Sequence, residues 1–210
     1  MREAFAADPP LWALWLIFCR ALLSAKTTLL GVFLKTNAVQ LGRGSVVRGS
    51  KCMTLGRGIR ARSGLHLEAI TRHGQQRFKP ILQIEDDVCF SNNVHISCIE
   101  RVVIHKGALM GSHIFISDHD HGIYQGQHQS LPAEPPAFRA LGGGGPVLIG
   151  QNAWIGDNVV IVGPVTIGDG AIIAANSVVR HDVEAETMVA GIPARVVKRF
   201  DQSTHLWERV

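Results

Sequence analysis

Between Val147 and Asp182 the chain can be written in sixes: VLIGQN, AWIGDN, VVIVGP, VTIGDG, AIIAAN, SVVRHD. Ile149, Ile155, Ile161, Ile167, Ile173 and Val179 recur in phase, and the residues two places earlier (Val147, Ala153, Val159, Val165, Ala171, Ser177) are all small or β-branched. A period of six suits neither an amphipathic helix, at 3.6 residues per turn, nor a long strand, at 2. It is the mark of a repeat architecture. Positions two apart point to the same side of a short strand, and the Gly, Asp and Asn residues that follow supply turn chemistry. Three such strands close one triangular coil, and successive coils stack as parallel strands roughly 4.8 Å apart. Each stacked aliphatic then contributes about 1.5–3 kcal/mol by burial, which lets a prism stand with few helices.

Weaker sixes precede this run. Leu41 and Val47 are in phase from Ala38 onward, and after a slip of two so are Leu55, Ala61 and Leu67. The polar stretch 71–80 (TRHGQQRFKP) reads as a loop or irregular corner, after which Ile84, Phe90 and Ile96, then Ile104, Met110 and Ile116, resume the pattern. Residues inserted at corners point outward and are tolerated. From 117 to 146 the phase is lost in a stretch rich in Pro, Gly and His, including four consecutive glycines. Such an excursion from a compact body is usually functional, and this one opens on titratable residues.

The chain is 210 residues long, 46% apolar and only 6% aromatic, with 22 glycines, which suits one narrow prism with many corners. A net charge of +4 with scattered basic residues argues against a nucleic-acid partner. Cys19, Cys52, Cys89 and Cys98 show no CxxC spacing, so neither structural zinc nor a disulfide framework is expected. Residues 1–36 form a segment of their own: Asp8-Pro9-Pro10 reads as a helix start, and Leu11 to Lys35 is apolar nearly all round. Arg20 and Lys26 argue against a membrane span, and Glu3 and Asp8 against a secretory signal. This helical segment either packs on the end of the prism or on another subunit, or lies in the membrane interface with Trp12 and Trp15 at the headgroups.

The six-residue repeats, together with Ala190-Gly191-Ile192-Pro193-Ala194-Arg195-Val196 near the end, resemble the hexapeptide left-handed β-helix acyltransferases from about Val39 to Phe200. The resemblance implies an all-β, left-handed parallel β-helix over 37–200 with an extended loop at 117–146, then a short basic C-terminal helix and a tail at 201–210. It also implies transfer of an acyl group from coenzyme A. The string Asp118-His119-Asp120-His121-Gly122 is most similar to that of acetyltransferases acting on surface-polysaccharide and lipopolysaccharide sugars, and the galactoside and maltose branch places a histidine at the same loop opening. A neutral hydroxyl needs a general base, and His is suited to that at neutral pH. Counting from Ile116 puts His121 ahead of His119 in that role, with Asp118 or Asp120 orienting the ring.

By the same resemblance Trp154, Asp157, Ala175, Arg180 and Arg195 are the coenzyme A candidates, although Arg180 and His181 depart from the residues the family often carries there. Ser91, Asn92, Asn93 and Glu100 are the acceptor candidates, the Asn residues being equally at home in turns. The implied assembly is a homotrimer in the cytoplasm, using acetyl-coenzyme A and no metal, with a small-molecule or lipid-linked sugar acceptor; a peripheral membrane contact through residues 11–34 is one of the two readings of a segment that lies outside the resemblance. Three other readings compete. They are N-acetylation of an amino-sugar nucleotide, a zinc lyase similar to the γ-type carbonic anhydrases using His95, His113, His119 and His121, and a non-catalytic β-helix scaffold.

Overall fold

The computed structural model describes residues 39–210. Its coil strands form three sheets of nine, six and five strands, one for each side of a triangular coil, parallel throughout except for the last two strands of the nine-stranded sheet. The in-phase residues become three columns. Leu41, Ala61, Phe90, Met110, Ile155, Ile173 and Val189 pair in register on the first side. Val47, Leu67, Ile96, Ile116, Ile161 and Val179 do so on the second. Leu55, Ile84, Ile104, Ile149 and Ile167 do so on the third. All point inward and merge into one core, within which Val147, Ala153, Val159, Val165 and Ala171 fill the corners. The hexad pattern is therefore the packing pattern: one strand per six residues, with one large aliphatic per strand facing the axis.

The corners explain the polar half of each hexad. Asn93, Asn152, Asn158 and Asn176 adopt left-handed backbone, with φ between 54° and 59°, a conformation that Asn tolerates better than most residues. Carboxylates tie one coil to the next: Asp86 accepts from the Arg57 N–H, Asp169 from Gln151 and Asp182 from Thr166, each at 2.7 Å.

The ending differs from expectation. In place of a short basic helix, residues Ala194–Asp201 form a strand antiparallel to Thr187–Gly191, and Leu206–Arg209 adds a further antiparallel strand. Gly191 pairs with Ala194, so Ile192 and Pro193 make a two-residue turn entered through Gly191 at φ 102°. The stretch Val196-Val197-Lys198-Arg199-Phe200, opened by two β-branched residues, finds a free sheet edge beside it, and edge pairing satisfies backbone groups that a short helix would leave unmet. Phe200 and Trp207 then meet edge to face at 5.5 Å. Arg199 bonds Glu184 and holds that carboxyl below its ordinary range. The helix expected over residues 1–36 and the membrane contact at 11–34 lie outside the described residues. Among the described residues, no helix is long and apolar enough to cross a membrane.

Candidate active site

The Phe115–Ser117 strand delivers the chain to its longest excursion, and the first two residues beyond it are buried. The Asp118 side chain is 0% exposed and the His119 side chain 5%. Asp118 Oδ1 lies 2.8 Å from His119 Nδ1, an Asp–His pair made by sequence neighbours. The carboxylate also accepts backbone N–H groups of Ile99 at 2.9 Å, Glu100 at 2.7 Å and Arg101 at 2.8 Å, so the corner of the preceding coil is wrapped around it. Burial alone would raise the carboxyl's pKa, but the bonds from His119 and from these N–H groups outweigh it and hold the group below its ordinary value. Burial and the adjacent Asp118 push the Cys98 thiol well above its ordinary range. Ser117 Oγ donates to the His119 carbonyl at 2.6 Å and accepts from the His119 N–H at 3.2 Å, fixing the backbone on which the imidazole stands.

The excursion folds back on itself. Asp120–His121 pairs antiparallel with Leu141–Gly142, and the Gly145 N–H donates to the Asp118 carbonyl at 2.9 Å. A Cβ on Gly144 would stand 2.2 Å from the Asp118 carbonyl oxygen and 2.8 Å from His119 Cα, so the four-glycine run is what lets the returning chain pass so close. The stretch expected as a loop over 71–80 contains a hairpin, Arg72–His73 against Gln76–Arg77, which holds this return. Gln76 both donates to the Leu141 carbonyl at 3.0 Å and accepts from the Leu141 N–H at 2.8 Å, and His73 Nε2 lies 3.0 Å from the Arg139 carbonyl. Nothing in the local sequence of Gln76 points to residue 141. His121 stands apart: it is exposed, and its ring meets His73 edge-on at 5.7 Å. Asp120 is half-buried in the same short strand.

The coenzyme A candidates divide. Trp154, Asp157 and Ala175 line one groove of about 360 Å³ together with Ile172 and Met188, on the outer face of the nine-stranded sheet. Trp154 is 49% exposed there and pairs laterally with Leu109 and Ile172. The Asp157 carboxylate serves a corner, accepting the Ser112 N–H as Asp86, Asp169 and Asp182 do elsewhere. Arg180 and Arg195 are exposed and do not line this groove, and Arg195 pairs with Ala190 in the C-terminal hairpin.

Among the acceptor candidates, Asn93 is a left-handed corner residue and Asn92 Oδ1 accepts the Ser63 N–H at 3.3 Å. Ser91 lines a separate groove with Arg60, Arg62 and Cys89. Glu100 is exposed, and its own N–H is one of the three that hold Asp118. Of the histidines that suggested a zinc lyase, His113 occupies a corner at φ 59°. Of the four, His95 alone belongs to a convergent group of ligand atoms among the described residues. Burial first, then the neighbouring His66 ring, lowers the pKa of His95, with Glu68 acting in the opposite sense.

Residues 146–181 match the family model described as bacterial transferase hexapeptide (six repeats). A protein of Escherichia coli (strain K12), provisionally named as a lipopolysaccharide biosynthesis O-acetyl transferase, is 35% identical over 164 residues, which is 78% of this chain and 80% of that one. The chain belongs to the hexapeptide-repeat acetyltransferases. The galactoside O-acetyltransferase of the same organism is 43% identical over 63 residues, 30% of this chain and 31% of that one. The fold is shared with an N-acyltransferase from Bacillus cereus solved with dTDP and 3-hydroxybutyryl-CoA, at TM-score 0.59 and 16% identity over 79% of this chain and 82% of that one. As a hexapeptide-repeat acetyltransferase, the protein is an enzyme.

Proposed function

We propose that this protein transfers the acetyl group of acetyl-coenzyme A to a sugar hydroxyl of a surface polysaccharide or lipopolysaccharide, with His119 as the general base. The observation that carries the reading is the buried contact between His119 and Asp118, within a chain similar over most of its length to a protein named for lipopolysaccharide O-acetylation. We favour His119 over His121, the residue that counting favours, because of these two only His119 is gripped by a carboxylate. Asp118 accepts at Nδ1, which leaves Nε2 of the neutral ring as the proton acceptor. It also stabilises the imidazolium that forms, as the acid of a catalytic triad does. A sugar hydroxyl becomes an adequate nucleophile only as its proton is withdrawn, and the Nε2 proton then passes to the departing thiolate.

The donor suits the groove beside Trp154. Its apolar lining by Ile172, Met188 and the indole fits an extended pantetheine arm, and the exposed Arg180 and Arg195 are the basic groups for the phosphates. Acetyl-coenzyme A supplies an activated thioester, and the residues of this chain hold it and move the proton. The groove lies on the nine-stranded face and His119 follows a strand of the six-stranded face, which supports a complete site that joins the two faces across neighbouring prisms of a trimer. Cytoplasmic catalysis with residues 11–34 resting on the membrane suits a lipid-linked acceptor.

The deciding experiment is acetyl transfer from acetyl-coenzyme A to candidate sugars by wild type, His119→Ala and His121→Ala. A loss of about 10²–10⁴ in kcat is expected for His119→Ala and wild-type turnover for His121→Ala. The reverse order would return the role to His121, and unchanged turnover in both would remove the base altogether.

A further inference from the structure

We propose that His66, Glu68 and His95 form a binding site for a divalent transition-metal ion of the zinc, cobalt and nickel class. The three residues stand on adjacent strands of the six-stranded sheet, where His66 pairs with His95 and Glu68 with Ser97. Their side chains share the outer face, opposite Leu67 and Ile96, which point into the core. The two imidazoles lie nearly parallel, with centroids 4.4 Å apart and planes at 6°. His66 Nε2 and His95 Nε2 are both buried and have no hydrogen-bond partner, although every other buried side-chain nitrogen and oxygen among the described residues has one. Buried polar atoms are almost always satisfied, so two adjacent orphans of the same kind point to an occupant that accepts lone pairs.

Glu68 completes the set. Arg48 takes its Oε1 at 3.3 Å, while Oε2 faces His95 Nε2 at 4.0 Å. One ligand atom from each of the three lies within 4.8 Å of the others. Two imidazoles and a carboxylate suit zinc, cobalt, nickel or copper better than magnesium or calcium, which favour all-oxygen ligands. At metal–nitrogen distances of about 2.0–2.1 Å, neighbouring ligand atoms stand roughly 3–3.5 Å apart, so capture draws the Nε2 atoms inward and opens the parallel stack by side-chain rotation. Three protein ligands leave a tetrahedral ion one position for water or for a hydroxyl of a bound molecule. Phe115, edge-on to His95 at 5.4 Å, screens one side of the pair.

The inference is independent of acetyl transfer and is tested on binding. Full-length protein without a histidine tag, stripped with chelator, is titrated with Co²⁺ and Zn²⁺ by calorimetry and followed through the visible bands of Co²⁺. One ion per chain is expected, with at least tenfold weaker binding in His66→Ala and in His95→Ala, a smaller loss in Glu68→Gln, and none in His128→Ala, a control in the exposed loop. Circular dichroism of each variant separates loss of ligands from loss of fold. Binding that fails to saturate, or that survives unchanged in a folded His66→Ala/His95→Ala double variant, would overturn the site.

Discussion

At residue 118 a carboxylate sits where water does not reach, held by three backbone N–H groups and one imidazole. Its folded pKa is depressed, so the unfolded chain binds more protons and stability from this group rises with pH. The contribution is fully present above the unfolded value of about 3.9 and is lost as pH falls through the folded one. Asp118→Asn should therefore cost about 1–3 kcal/mol at neutral pH, because an amide nitrogen replaces an acceptor among donors. Urea unfolding of wild type and variant across pH is the measurement, and the gap between them should narrow below about pH 4. A gap that stays constant to about pH 3 would mean that the carboxylate's charge is not what the corner of the coil is built around.

Among elements, the excursion over 117–146 matters most, because it returns across the Asp–His pair at Gly144. Replacing Gly144 by Ala brings a methyl against backbone atoms, which cannot rotate away as a side-chain tip would. A packing penalty of about 1–3 kcal/mol is expected. Activity should fall by more than stability accounts for, since the displaced atoms are the Asp118 carbonyl and His119 Cα. Paired kcat and unfolding measurements on Gly144→Ala read this out, and wild-type kcat in the variant would show that the return strand does not position the base. The 72–77 hairpin is the second element of this construction. Gln76→Ala removes both bonds to Leu141 and is expected to raise the rate at which protease cuts the excursion while leaving the coils intact.

For the whole molecule, the prism's repetition separates the proposed donor groove from the proposed base. Trp154 and Ile172 belong to the nine-stranded face and His119 follows the six-stranded one. If neighbouring prisms join these faces, His119→Ala and Ala175→Trp, each inactive alone, should regain part of the wild-type activity once their subunits are mixed by refolding together. Some interfaces then combine an intact base with an intact groove. Activity no higher than in the separate variants would place the whole site within one chain. Sedimentation of wild type should show a trimer.

The coils were legible in the sequence from the six-residue period. A side chain facing a narrow axis must recur once per strand, and any chain folded this way has to write that constraint into its sequence. The same holds for the Asn corners and for the place where the excursion begins. The strands after Gly191 were not legible, because a short basic stretch reads as a helix until a neighbouring sheet edge offers it partners. Which of the two Asp–His neighbours, at His119 or at His121, makes a buried pair was equally hidden. Both follow an Asp at the same spacing, and only the folded corner at residues 99–101, brought from the preceding coil, decides which aspartate is buried and which imidazole it grips. Contacts between adjacent repeats are periodic and therefore written locally. Contacts between an excursion and a distant coil are made once, and depend on where the prism carries each segment.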